Sequence, residues 1–256
     1  MNPSFATSSD GAQIAYECCG NGPAIILLHG GGGCRQEWRE AGYIERLQND
    51  FTVVSLDLRG HGESSLSTDP TDYTVTKMVQ DILAVADACR VEQFALCGMS
   101  HGGKTGQYLA IHSRRVDRFI LMSAPLGPGT SPQLRLEIAE FTAHWSSVLQ
   151  AQCDGTLDLS SLPREDQEFL QNFKVAAMLG WGPAMLKWPS VRPTDFTCPV
   201  LWLIGSEDHQ VMESVREFES ALEGSPFQVH IFPGLDHGQV FDEIERVFPV
   251  MRAFLR

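Results

Sequence analysis

Phe94-Ala95-Leu96-Cys97-Gly98-Met99-Ser100-His101-Gly102-Gly103-Lys104-Thr105 is the stretch on which the fold turns. Phe94 to Cys97 reads as a short buried strand, and from Lys104 to His112 the pattern is helical. Between them stands Gly98-Met99-Ser100-His101-Gly102, a G-x-S-x-G pattern. A strand that reverses into a helix within a few residues needs small residues two before and two after the serine, and it leaves the hydroxyl on a strained turn. The helix that follows directs its first backbone N–H groups at any negative charge that forms there. Glycine and serine are common in ordinary turns, so the surrounding chain must decide what this one does.

Outward from this point, short apolar runs bounded by turn residues alternate with amphipathic stretches. The runs are Ile14 to Cys18, Ala24 to Leu28, Thr52 to Leu56, Phe119 to Met122, Val200 to Ile204 and Gln228 to Phe232. Helical patterns cover Thr76 to Cys89, Val211 to Leu222 and Val240 to Leu255. This alternation predicts an α/β chain with a mainly parallel sheet flanked by helices, whose chemistry lies at the carboxyl ends of the strands. Residues 126 to about 194 break the alternation, with helical stretches at Gln133–Leu149, Arg164–Trp181 and Pro183–Trp188 and no strand. We read one domain over 1–256, with a core of 1–125 and 195–256 and an inserted helical cap at about 126–194.

The strand ends carry the candidates. His29-Gly30-Gly31-Gly32-Gly33 follows Ala24–Leu28, and a backbone N–H there could join that of His101 in an oxyanion hole, with Gly31 the first choice and Gly32 the second. Gly205-Ser206-Glu207-Asp208 places a carboxylate after Val200–Ile204, and Asp236-His237-Gly238 places a histidine after the last strand. The order Ser100, Asp208, His237 is the one a hydrolase sheet of this kind requires. Glu207 is the rival acid, and no Asp or Glu occurs between Met122 and Glu137 to supply one from the preceding strand.

With these features in this order, the chain resembles the α/β-hydrolase family along essentially its whole length. Leu28-His29-Gly30, Asp57-Leu58-Arg59-Gly60-His61-Gly62-Glu63-Ser64, Gly98 to Gly102, Gly205 to Asp208 and Asp236 to Gly238 carry the resemblance. It implies a serine esterase in which Ser100 is the nucleophile, His237 the general base and then acid, and Asp208 the group that orients the imidazole. The Asp57–Ser64 stretch is structural in that family, and His29 and His61 are expected to brace loops. Carbon–carbon bond hydrolases, lyases and cofactor-free oxygenases share most of these motifs and stay open as alternatives, as does a receptor with slow turnover.

Gly98 to Thr105 also satisfies G-x-x-x-x-G-K-[ST], the phosphate loop of nucleotide-binding proteins. Against that reading, the strand Phe119–Met122 runs into Ser123-Ala124-Pro125 without the Asp that would bind magnesium, and His29–Gly33, Asp208 and His237 are left without a role. On the hydrolase reading, loss of Lys104 is expected to matter little.

In the cap, Trp145, Trp181 and Trp188 stand with Phe141, Phe169 and Phe173. Trp145 and Trp181 are the candidates to touch substrate, which is expected to be a small, apolar carboxylic ester. No cofactor or metal is expected. Nineteen Lys and Arg against 32 Asp and Glu give a formal charge of −13 without any basic run, which argues against nucleic-acid or anionic-membrane partners. Seven cysteines without a CxxC pair, no run of ~20 apolar residues and no signal sequence predict a cytoplasmic protein with reduced thiols.

Overall fold

The computed structural model describes residues 3–172 and 174–256, so Phe173 lies outside the described residues. Eight strands form one sheet: β1 (Ser4–Thr7), β2 (Gln13–Gly20), β3 (Ala24–Leu28), β4 (Thr52–Leu56), β5 (Phe94–Met99), β6 (Val116–Met122), β7 (Val200–Gly205) and β8 (Phe227–Phe232). Their spatial order is β1-β2-β4-β3-β5-β6-β7-β8. β1 pairs antiparallel with β2 and β2 with β4, and every later pairing is parallel.

The helices before β7 are α1 (Glu37–Glu40), α2 (Tyr43–Leu47), α3 (Val75–Ala88), α4 (Ser100–His112), α5 (Pro132–Cys153), α6 (Arg164–Asn172) and α7 (Val175–Met185). After it come α8 (His209–Glu217), α9 (Glu219–Leu222), α10 (Gln239–Asp242) and α11 (Ile244–Leu255). Parallel strands covered on both faces need apolar side chains in both directions, so the central strands read as continuous runs. Ile26, Leu28, Leu96, Phe119, Leu121 and Trp202 pack with Met78, Ile82 and Val85 of α3 and Leu109 of α4. Their neighbours Ile25, Leu27, Cys97, Ile120 and Leu203 pack on the opposite face with Trp38, Ile44, Val247 and Met251.

Several boundaries differ from the sequence expectation. β1 is a four-residue edge strand, half Ser and Thr, with three of its four residues exposed, so it carries little hydrophobic signal. The stretch read as Val211–Leu222 starts at His209, because the Asp208 carboxylate accepts from the Val211 N–H, and it divides at Phe218. The stretch read as Val240–Leu255 divides at Glu243.

Helix α7 runs through Pro183, where the sequence predicts a break. Packing holds it straight enough to continue. A Cβ on Gly180 would stand 2.3 Å from the Tyr73 ring, and the Trp188 indole just beyond donates to the Tyr73 carbonyl at 3.1 Å.

Behind the strand ends, Asp57 organises the turn that follows β4. Its carboxylate, fully buried, accepts from the Arg35 N–H at 2.7 Å and the Glu63 N–H at 2.8 Å and is paired with the Arg35 guanidinium. The Ser64 hydroxyl donates to the Asp57 carbonyl at 2.6 Å, and Gly62 is needed because a Cβ there would overlap the Asp57 carboxylate. The Asp57–Ser64 stretch is thus a packed corner held by the Asp57 carboxylate.

Candidate active site

Ser100 sits at the junction of β5 and α4 with φ +49°, a left-handed conformation that costs a non-glycine residue on the order of 1–3 kcal/mol. The two flanking glycines explain how the turn closes. A Cβ on Gly98 would come within 2.6 Å of the Gly102 carbonyl oxygen, and one on Gly102 within 2.5 Å of the carbonyl oxygens of Leu28 and His29. The Gly102 N–H also donates to the His29 carbonyl at 3.1 Å, tying the serine turn to the glycine turn after β3.

The Ser100 hydroxyl donates to His237 Nε2 at 2.9 Å, and His237 Nδ1–H donates to Asp208 Oδ2 at 2.7 Å. These three residues leave the carboxyl ends of three different parallel strands, 29 and 137 positions apart in the chain. Asp208 is buried at its side chain, 4% exposed, whereas His237 is 44% exposed. The loops carrying them are laced together. Gly205 lies so close to Leu235 that a Cβ would meet its carbonyl at 2.1 Å, and the Glu207 N–H donates to that carbonyl at 2.9 Å. Asp236 braces the histidine by accepting from the N–H groups of Gly238 and Gln239 at 3.0 and 2.9 Å. Glu207, the rival acid, is exposed and accepts from the Ser206 hydroxyl at 2.9 Å.

The glycine turn lies opposite. Gly30 approaches the Ser100 Cβ, Gly31 lies between the His101 side chain and the Trp181 ring, and Gly32 adopts φ +79°. His101 occupies the first turn of α4, where backbone N–H groups have no partner within the helix. The N–H of Gly31 makes no hydrogen bond among the described residues. His29, 1% exposed, fixes this turn: its Nδ1–H donates to the Gly30 carbonyl at 2.7 Å and its Nε2 accepts from the Leu58 N–H at 3.0 Å. Burial and the neighbouring His61 ring push its pKa down to about 3, so it stays a neutral brace.

His101 is more than a backbone donor. Its ring is buried against Trp181 (centroids 4.8 Å apart) and Trp188 (5.8 Å), and burial holds it well below the ordinary histidine range. Trp181 therefore stands at the glycine turn, as one of the two candidate cap residues. Trp145, the other, packs with Val148, Val175 and Leu179, 5% exposed, its ring stacked on Phe169, and it lines neither cavity at the turn.

Two cavities flank the turn. One of about 580 Å3 is lined by Gly30 to Gly33, Met99, Gly238 and Phe241, with Glu37, Glu40 and Asp242 at its wall. The other, about 180 Å3, lies toward α7 beside His61, Lys174, Met178 and Trp181. Glu37 and Lys174 stand in no motif, and only the folded loops bring them here.

The phosphate-loop reading fails on Lys104. Its ammonium, 3% exposed, donates to the carbonyls of Pro125 at 3.2 Å, Gly127 at 3.3 Å and Pro128 at 3.0 Å, while the Thr105 hydroxyl donates to the His101 carbonyl at 3.0 Å. Burial pushes the amine pKa down to about 7, and three carbonyls take up all three of its donors. These contacts put the expected cost of losing Lys104 on stability, while the expectation of little effect on ester cleavage is unchanged. Lys104→Met is expected to lower unfolding stability by about 2–4 kcal/mol, since it strips buried carbonyls of their donor, and to shift no melting transition on addition of nucleotide. Urea unfolding and a thermal scan with and without nucleotide measure the two effects.

Among the described residues, no group of three or more His, Cys, Asp or Glu is placed to hold a metal ion, and no helix is long and apolar enough to cross a membrane.

A family model described as alpha/beta hydrolase fold matches residues 23–145, and one described as dienelactone hydrolase family matches residues 167–247. Among curated proteins, the chain is 27% identical over 274 residues to the non-heme haloperoxidase of Rhodococcus erythropolis, covering 98% of each chain. It is 33% identical over 119 residues to 3-oxoadipate enol-lactonase 2 of Acinetobacter baylyi, covering 45% of this chain and 43% of that one. Among solved structures, a thermophilic esterase from Thermogutta terrifontis superposes with a TM-score of 0.74 at 24% identity, covering 100% of this chain and 98% of that one. The enol-lactonase from Burkholderia xenovorans LB400 does so with 0.76 at 22% identity, covering 98% and 99%. By its sheet order and these superpositions, the chain has the α/β-hydrolase fold.

Proposed function

We propose that the protein is a serine hydrolase that cleaves a small carboxylic ester through an acyl-enzyme, with residues 126–194 as the cap over its site. The observation that carries this reading is the hydrogen-bonded chain Ser100–His237–Asp208 at the carboxyl edge of the sheet, its serine on a left-handed turn. Ser100 attacks the ester carbonyl while His237 Nε2 takes its proton, and Asp208 holds the ring in the required tautomer and stabilises the imidazolium. The backbone N–H groups of Gly31 and His101 bind the oxyanion. His237 then protonates the leaving alcohol, and a water activated by the same histidine releases the acid.

The relatives named for ester and enol-lactone hydrolysis support this bond type. Carbon–carbon cleavage, elimination or cofactor-free oxygenation would use the same three side chains. Turnover separates these readings. We expect p-nitrophenyl acetate and butyrate to be hydrolysed with a burst of p-nitrophenol under single-enzyme-equivalent conditions. Labelling of the serine without turnover of either ester would overturn the hydrolase reading in favour of the alternatives.

A further inference from the structure

The strand registers bring two cysteines from distant parts of the chain to one place. Gly20, Thr52, Ala24 and Phe94 lie in one row across β2, β4, β3 and β5. Cys18 is two residues inside that row on β2, opposite Val54. Cys89 caps α3 five residues before Phe94, so both cysteines stand at the edge of the sheet where the parallel strands begin. They also share a face. Side chains alternate along a strand, which puts Cys18 with Ile14 and Tyr16 on the side covered by α3. Cys89 packs against the same core from the end of that helix. The two thiols are within hydrogen-bond reach of each other, and Cys89 is also within reach of the Tyr16 hydroxyl.

Both backbones are held there. Cys18 is paired with β4, the Cys89 N–H donates to the Val85 carbonyl at 3.0 Å, and Arg90 then ends the helix in the left-handed conformation, φ +57°. Access differs between the two thiols: Cys18 is exposed and Cys89 half-buried, and burial raises the pKa of the Cys89 thiol. Cys19, the sequence neighbour, packs on the opposite face of the sheet. We propose that Cys18 and Cys89 form a reversible redox site, closed to a disulfide by a small oxidised thiol of the glutathione disulfide class. The exposed Cys18 thiolate attacks one sulfur of that disulfide and expels the other as a thiolate, leaving a mixed disulfide on Cys18. Cys89 then gives up its proton and attacks Cys18 Sγ, expelling the second thiolate. In total the protein dithiol passes two electrons and two protons to the small disulfide, which leaves as two thiols. The bond ties β2, whose outer neighbour is only the four-residue β1, to the helix behind it.

The test oxidises the native protein with glutathione disulfide, blocks the remaining thiols with N-ethylmaleimide and maps the linkages by tandem mass spectrometry of an unreduced digest. We expect a pair of peptides joined through Cys18 and Cys89, separated again by dithiothreitol. Closing a loop of roughly 70 residues is expected to raise the melting temperature by at least about 5 °C, and dithiothreitol should reverse the rise. Cys18→Ser alters an exposed side chain, and in it both the linked pair and the rise should vanish, whereas both should remain in Cys19→Ser. Glutathione held on Cys18 without a bond to Cys89 overturns the proposal. So does an unmodified Cys18, a link made through Cys19, or a rise in melting temperature that survives in Cys18→Ser.

Discussion

Ser100→Ala is expected to lower kcat/KM for p-nitrophenyl butyrate by at least about 10^4-fold while leaving the unfolding free energy within about 1 kcal/mol of the wild type. The activity falls because no other hydroxyl stands within reach of His237 Nε2 among the described residues, and a water recruited in its place has to be positioned by the oxyanion donors alone. The fold survives because alanine inherits the same left-handed backbone at φ +49° that serine already tolerates, in a turn closed by Gly98 and Gly102. The only interaction lost is one hydrogen bond to a half-exposed imidazole. Circular dichroism and urea unfolding read the second half of the expectation. A variant that loses activity by unfolding would say nothing about the nucleophile, whereas an active, folded Ser100→Ala would remove it from the mechanism.

Asp208→Asn carries the second large effect, about 10^4-fold in kcat/KM, against a change within about twofold for Glu207→Gln. The contrast follows from where the two neighbouring carboxylates lie. Asp208 is buried, with one oxygen accepting from His237 Nδ1–H and the other from the Val211 N–H that starts α8. An amide there can present its NH2 to the imidazole, turning the ring to the wrong tautomer and leaving Nε2 protonated and unable to take the serine proton. Glu207 is exposed and reaches only the Ser206 hydroxyl. Reversal of the ranking would move the acid to Glu207 and would require the loop after β7 to rearrange.

The sheet and the three-residue constellation were legible in the sequence for a physical reason. Doubly covered parallel strands must be apolar on both faces, which makes runs such as Ala24–Leu28 and Val200–Ile204 stand out, and the reactive residues must lie just beyond such runs. The glycines at 98, 102 and 205 mark places where backbone meets backbone at distances no Cβ allows, so they too carry a sequence signature.

What escaped depends on contacts between segments far apart. Trp145 and Trp181 read alike in the sequence as apolar residues of a helical segment, yet one packs with Val148, Val175 and Leu179 and the other stands at Gly31. Lys104 fits a phosphate loop by spacing, and only the chain after β6, wrapping its ammonium with three carbonyls, removes it from that role. His61 reads as a brace, which its Nδ1 is, while the packing of its ring against Trp181 depends on α7 being in place.

The most direct test of the proposed mechanism is to treat the native protein with a serine-directed fluorophosphonate and map the adduct by mass spectrometry of a proteolytic digest. A single phosphonyl group on the peptide containing Ser100, absent in Ser100→Ala and much slower to form in Asp208→Asn, is the predicted result. No adduct, or an adduct on another residue that forms equally fast in Asp208→Asn, would contradict it.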